Sequence, residues 1–66
     1  MKNNLKVQRA IHDMTQADLA KNIGVSRQSI NAIEKGKYVP STILALKIAK
    51  LFKKPVEDIF LLENND

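Results

Sequence analysis

The chain has no cysteine and no tryptophan, and only one histidine, one tyrosine, two phenylalanines, two glycines and two prolines in 66 residues. Without cysteine there is no disulfide and no thiolate metal site, and one histidine cannot build a zinc site alone. The longest apolar run, Thr42 to Phe52, is interrupted by Lys47 and Lys50, so no segment reads as membrane-spanning. Met1-Lys2-Asn3-Asn4 has no apolar stretch behind it and does not read as a signal peptide. No acid pair, nucleophile or Gly-rich phosphate loop points to catalysis. These absences lead to the expectation of a cytoplasmic, soluble, non-enzymatic domain needing no cofactor, no metal and no small-molecule ligand. A chain this short buries only about 60% of its unfolded surface. Apolar packing must hold it, supplemented by a second copy of itself.

Positive charge is present and unevenly placed. Residues 1–54 carry all eleven Lys and Arg against Asp13, Asp18 and Glu34, so eleven less three gives +8. Residues 55–66 carry Glu57, Asp58, Glu63 and Asp66 with no base, giving −4. A basic body with an acidic tail suits a polyanion partner on the body. Charge alone is equally compatible with lysines scattered for solubility.

Helical periodicity dominates from Leu5 to Phe60. A first helix is expected from Asn4 or Leu5 to about Asp13, with Leu5, Ala10 and Met14 inward. Thr15 suits an N-cap for a second helix, with Asp18 completing a short capping box. Leu19, Ala20 and Ile23 share its buried face, and Gly24 ends it. Ser26 caps a third helix that buries Ile30 and Ile33 and stops at Gly36. Lys37-Tyr38-Val39-Pro40 is extended, since the residue before proline is driven out of the α region. Ser41 caps a fourth helix to Phe52 whose apolar arc is wider than one core face needs. Pro55 suits the first position of a short fifth helix. Phe60-Leu61-Leu62 is too apolar for a free tail and is either a terminal strand or a patch covered by a partner.

The informative stretch is Thr15 to Glu34. Two short helices joined at Gly24-Val25, where glycine supplies the positive φ of a sharp bend, have the form of a helix-turn-helix. Such a motif places its second helix in the major groove. On that helix Arg27, Gln28, Asn31 and Lys35 lie opposite Ile30 and Ile33, with Ala32 leaving room beside them. Arg matches guanine O6 and N7, and Gln or Asn matches adenine N6 and N7, each pair worth roughly 1–3 kcal/mol of discrimination. An ordinary solvated face would carry more Glu, Lys and Ala.

The run Thr15-Gln16-Ala17-Asp18-Leu19-Ala20, through Gly24-Val25-Ser26-Arg27-Gln28-Ser29-Ile30, to Ile33-Glu34-Lys35-Gly36 resembles the phage repressor and Cro family of helix-turn-helix regulators. The resemblance covers essentially the whole chain. Its two ends are especially similar to short repressors typified by the cytolysin-operon repressor. This resemblance implies a mainly α, compact five-helix lambda-repressor-like bundle with a small antiparallel β element from the termini. It also implies a single DNA-binding domain over residues 1–66, with the motif at about 15–34 and a dimerisation segment at about 55–64. By position, it assigns Gln16 to a phosphate and to bracing a recognition-helix side chain. Arg27, Gln28 and Asn31 fall at base contacts, Ser26 and Ser29 at backbone or base contacts, and Lys35, Lys37 and Tyr38 on the phosphate-gripping loop. Ala32 replaces a longer polar residue, which puts readout of the inner base pairs in doubt. Arg9 and Glu34 fall where the family forms a structural ion pair, the alternative being Arg9 on phosphate. His12 reads as packing or surface.

The expected function is a transcription regulator, a repressor binding double-stranded DNA at a palindromic operator as a homodimer. The dimer contact is expected from Leu44, Leu51, Val56, Ile59, Phe60 and Leu62. One rival is an antitoxin that binds DNA and also masks a toxin. The other is a protein-interaction module without DNA binding, which would lack basic residues around the recognition helix.

Overall fold

The computed structural model describes residues 1–66. Helices α1 (Leu5–Ile11), α2 (Gln16–Ile23), α3 (Arg27–Glu34) and α4 (Thr42–Phe52) are followed by one 3₁₀ turn at Val56–Asp58. Strands β1 (Lys2–Asn3) and β2 (Phe60–Leu61) pair antiparallel, with Lys2 opposite Leu61 and Asn3 opposite Phe60. No helix is long and apolar enough to cross a membrane.

Hydroxyl caps define three of the helix starts, each satisfying an amide that the helix itself cannot. Thr15 Oγ1 accepts from the Asp18 amide at 3.0 Å, and Asp18 Oδ2 accepts from the Thr15 amide at 3.0 Å, completing a capping box. The Thr15 backbone N–H and hydroxyl hold the Asp18 carboxyl below its ordinary pKa. Ser26 caps α3 through the Ser29 amide, and Ser41 caps α4 through the Leu44 amide.

Helix α1 begins at Leu5, as expected, and ends two residues short of Asp13. The Leu5 amide is accepted by Asn3 Oδ1 at 3.1 Å, whereas Asn4 makes no side-chain cap. The helix stops at Ile11, because Asp13 is left-handed (φ 54) and cannot continue it. Its inward residues are Leu5 and Gln8, three apart. Ala10 is exposed, and Met14 reaches the core from beyond the helix.

The fifth helix is also corrected: the chain has four α-helices and a single 3₁₀ turn. Pro55 precedes that turn in an extended conformation (ψ 145), and the only turn bonds run from Asp58 N to Pro55 O and from Ile59 N to Val56 O. Ile59 and Phe60 must enter the core immediately afterwards, which leaves no length for an α turn.

Twelve buried apolar residues form one core. Helix α2 gives Leu19, Ala20 and Ile23, and α3 gives Ile30 and Ile33; α4 closes it with Leu44, Ile48, Ala49 and Phe52. Leu5, Ile59 and Phe60 seal the end where the chain termini meet. His12 lies against Phe52, ring centres 5.0 Å apart.

Gln8 is the anomaly, only 5% exposed with an Oε1 that meets no partner. A buried carbonyl without a hydrogen bond costs on the order of 1–3 kcal/mol. Gln8→Leu is therefore expected to raise the unfolding free energy by about 1–2 kcal/mol in urea titration, with the m-value unchanged.

Candidate nucleic-acid interface

The bend between α2 and α3 is set by backbone chemistry. Gly24 closes α2 at φ 75, ψ 36, and both its amide and that of Val25 return to the Ala20 carbonyl. A Cβ at Gly24 would meet nothing within 4 Å, so glycine is required for its left-handed φ and not for space. Val25 then packs half-buried against the core and holds the angle between the helices.

Helix α3 presents two separate faces. Ile30 and Ile33 are fully buried, whereas Arg27 and Gln28 are exposed and make no side-chain hydrogen bond within the chain. Asn31 follows one turn later on the same outward side, half-buried. Ser26 and Ser29 share a hydroxyl–hydroxyl hydrogen bond of 3.0 Å at the helix start. A shallow open depression runs between Ser26, Gln28, Ser29, Ala32 and Tyr38, so Tyr38 stands beside the outward face of α3. Lys35 and Lys37 are exposed beyond the C-terminal end of α3, on either side of Gly36, itself left-handed at φ 73. The structure thus gathers these predicted groups around one helix.

What holds that helix is a polar chain reaching from α1. Arg9 Nε donates to Glu34 Oε2 and Arg9 Nη2 to Glu34 Oε1, the latter at 3.0 Å, while Arg9 Nη1 donates to the Met14 carbonyl at 2.9 Å. Both side chains are nearly enclosed, and Glu34 raises the Arg9 pKa further above its ordinary value. Arg9 is thus engaged structurally, with all its polar atoms turned inward or onto Glu34 and Met14. Gln16 Nε2 extends the chain, donating to Glu34 Oε1 at 3.1 Å and to Asn31 Oδ1 at 3.2 Å. At the other end, Asn3 Nδ2 donates to the Ile33 carbonyl at 2.8 Å and fastens β1 to the last turn of α3.

Sequence reasoning missed Asn3, whose two functions join residues thirty apart, and the second bond of Gln16, which appears only when α1, α2 and α3 meet. The expected dimer residues divide. Leu44, Ile59 and Phe60 lie in the chain's own core. Leu51 and Val56 are half-buried against that core, and Leu62 is 83% exposed. The apolar groups actually facing outward in this third are Ile43, Leu46, Leu61 and Leu62. In the acidic tail, Glu63 and Asp66 pair with the Met1 ammonium at 3.1 and 3.2 Å, which raises that amine's pKa.

Removing one member of the Arg9–Glu34 pair strands the other in a nearly enclosed site. Arg9→Met and Glu34→Gln are each expected to cost about 2–3 kcal/mol in chemical denaturation. The double variant should cost clearly less than the sum, the signature of direct coupling in a mutant cycle.

Comparison with known proteins agrees with this geometry. An HTH-type transcriptional regulator of Methanocaldococcus jannaschii is 62% identical over 66 residues, covering all of both chains. One from Bacillus subtilis is 50% identical, again over the full length of both. One from Archaeoglobus fulgidus is 47% identical over all of this chain and 93% of its own. The helix-turn-helix family matches residues 5–59, from the first residue of α1 to the one after the 3₁₀ turn, and the chain belongs to that family.

Proposed function

We propose that this protein is a sequence-specific repressor that binds a palindromic DNA operator as a homodimer, in the manner of the short repressors its sequence resembles. Its family and its relatives, named as HTH-type transcriptional regulators, support a DNA-binding regulator and not an enzyme. The observation that carries the proposal is the outward face of α3. Arg27 and Gln28 are free of internal partners, one turn from Asn31, on a helix locked from behind by an ion pair. Unpaired donors and acceptors on a rigid helix are what base edges in the major groove require. The exposed Arg27, Lys35 and Lys37 supply charge for phosphates, which position the helix without reading sequence. That charge also weighs against an interaction module lacking DNA contacts.

One eight-residue reading helix gives few contacts, and two copies about a two-fold axis double them. Their half-sites would lie about 34 Å apart or a multiple of that. Leu61 and Leu62 next to β2, with Ile43 and Leu46 on α4, are the exposed apolar groups suited to self-association, with Leu51 and Val56 behind the surface. Sedimentation at tens of micromolar should give a dimer, and Leu62→Lys should shift it toward monomer.

Selection of duplexes from a random pool should return a palindrome. Arg27→Ala and Gln28→Ala should each relax one base pair per half-site by about 1–3 kcal/mol. Lys37→Ala should instead weaken all duplexes alike and flatten the salt dependence by about one unit of log–log slope. Unchanged base preference in both α3 variants would refute the readout assignment.

A further inference from the structure

The polar chain behind α3 does more than hold the helix: it tells the two ends of the Asn31 amide apart. Its direction begins at a charge. Arg9 has only hydrogens to give and the Glu34 carboxylate only lone pairs, so their paired contact admits one arrangement. Glu34 Oε1 also faces the Gln16 amide at 3.1 Å. An amide oxygen there would oppose lone pair to lone pair, so the Gln16 NH₂ must point to Glu34. The same nitrogen lies 3.2 Å from Asn31 and needs an acceptor, which only Asn31 Oδ1 supplies. The Asn31 NH₂ is what remains. It has no partner in the chain, and it sits on the same face as Arg27 and Gln28 at helical spacings of four and three.

We infer that the Arg9–Glu34–Gln16 relay makes Asn31 a hydrogen-bond donor to DNA, selecting guanine over adenine at the base pair it meets. This rests on the DNA-binding reading above and specifies its chemistry. Guanine offers acceptors at both N7 and O6 in the major groove, whereas adenine replaces the second with the N6 amino donor. A free asparagine answers adenine with both ends, oxygen to N6 and NH₂ to N7. Here the oxygen is turned toward α2 and already bonded to Gln16, so the amino group of adenine faces a donor. Gln16 is the positioning residue: its two N–H groups are spent on Asn31 and Glu34, which leaves none for the phosphate its family position suggests. Sequence reading had treated Asn31 as able to match adenine, because an isolated asparagine has no fixed polarity.

The test is duplex selection with the full chain, comparing wild type with Asn31→Ala, Gln16→Ala and Asn31→Asp. Asn31→Ala identifies the base pair concerned as the one it relaxes. At that pair wild type should favour guanine over adenine by about tenfold. Gln16→Ala frees the amide to turn and should bring the two bases to near parity. Asn31→Asp keeps an acceptor for Gln16 but presents an outward acceptor too, and should shift preference to cytosine, whose N4 amino group donates. That reversal keeps the idea testable even if Gln16→Ala folds poorly, since loss of a contact alone would relax preference without inverting it. Adenine preferred by wild type, an unaltered guanine-to-adenine ratio in folded Gln16→Ala, or no shift toward cytosine in Asn31→Asp would overturn the inference. If Asn31→Ala changes no base pair while Arg27→Ala does, the inference falls and DNA reading stands. If wild type enriches no sequence, both fall.

Discussion

The Arg9–Glu34 pair is the contact on which the position of α3 depends. Helix α3 is eight residues long, well under the length at which a helix persists alone in water. Ile30 and Ile33 fasten one stripe of it to the core, but apolar contact is non-directional and leaves rotation and sliding weakly determined. A guanidinium fork on a carboxylate has fixed planarity and a preferred approach, and so adds orientation to attachment. Because Arg9 also donates to the Met14 carbonyl, the pair links α1, the turn after it and the end of α3 in one contact. The 2.8 Å bond from Asn3 to the Ile33 carbonyl holds the same helix end from the sheet.

A charged anchor has a second consequence that an apolar one could not have. Hydrogen bonds in series carry direction, since each donor dictates an acceptor at the next position. With Glu34 fixed as an anion by Arg9, the orientation of Gln16 follows, and that of Asn31 follows from Gln16. Ion pairs of this kind contribute modestly to net stability because desolvation offsets attraction. Their value here lies in fixing which atoms of neighbouring amides face the solvent.

What could be read from the sequence was whatever is decided within a few residues. The caps at Thr15, Ser26 and Ser41 and the left-handed Gly24 are local chemistry, and each stands where expected. Phe60-Leu61-Leu62 is too apolar for a free tail, which leaves a terminal strand and a partner-covered patch both open, and it is the family resemblance that implies the pairing of the chain ends seen here. Contacts between distant residues were not legible. Gln8 occupies a core position that its polarity disguises, and Asn3 ties two distant segments, its carbonyl accepting from the Leu5 amide while its NH₂ donates to the Ile33 carbonyl. Leu44, Ile59 and Phe60 looked surplus to one core, and hydropathy alone cannot distinguish a residue buried by its own chain from one buried by a partner. A chain of 66 residues has so little interior that its terminal segment is drawn in to complete it.

That economy ties the proposed dimer to the proposed reading. Strand β1 is shared: Asn3 pairs with Phe60 on one side and bonds the last turn of α3 on the other. Leu61 and Leu62, the exposed groups offered to a second copy, follow Phe60 directly along the chain. A two-fold contact at these residues would stand only a strand and one hydrogen bond away from α3. Half-site spacing is a rigid geometric quantity, and Asn3 gives a change at Leu61 and Leu62 one short route to α3. The proposed association surface and the proposed reading surface are in this way mechanically linked, so on this reading operator specificity would belong to the pair of chains and not to either α3 alone.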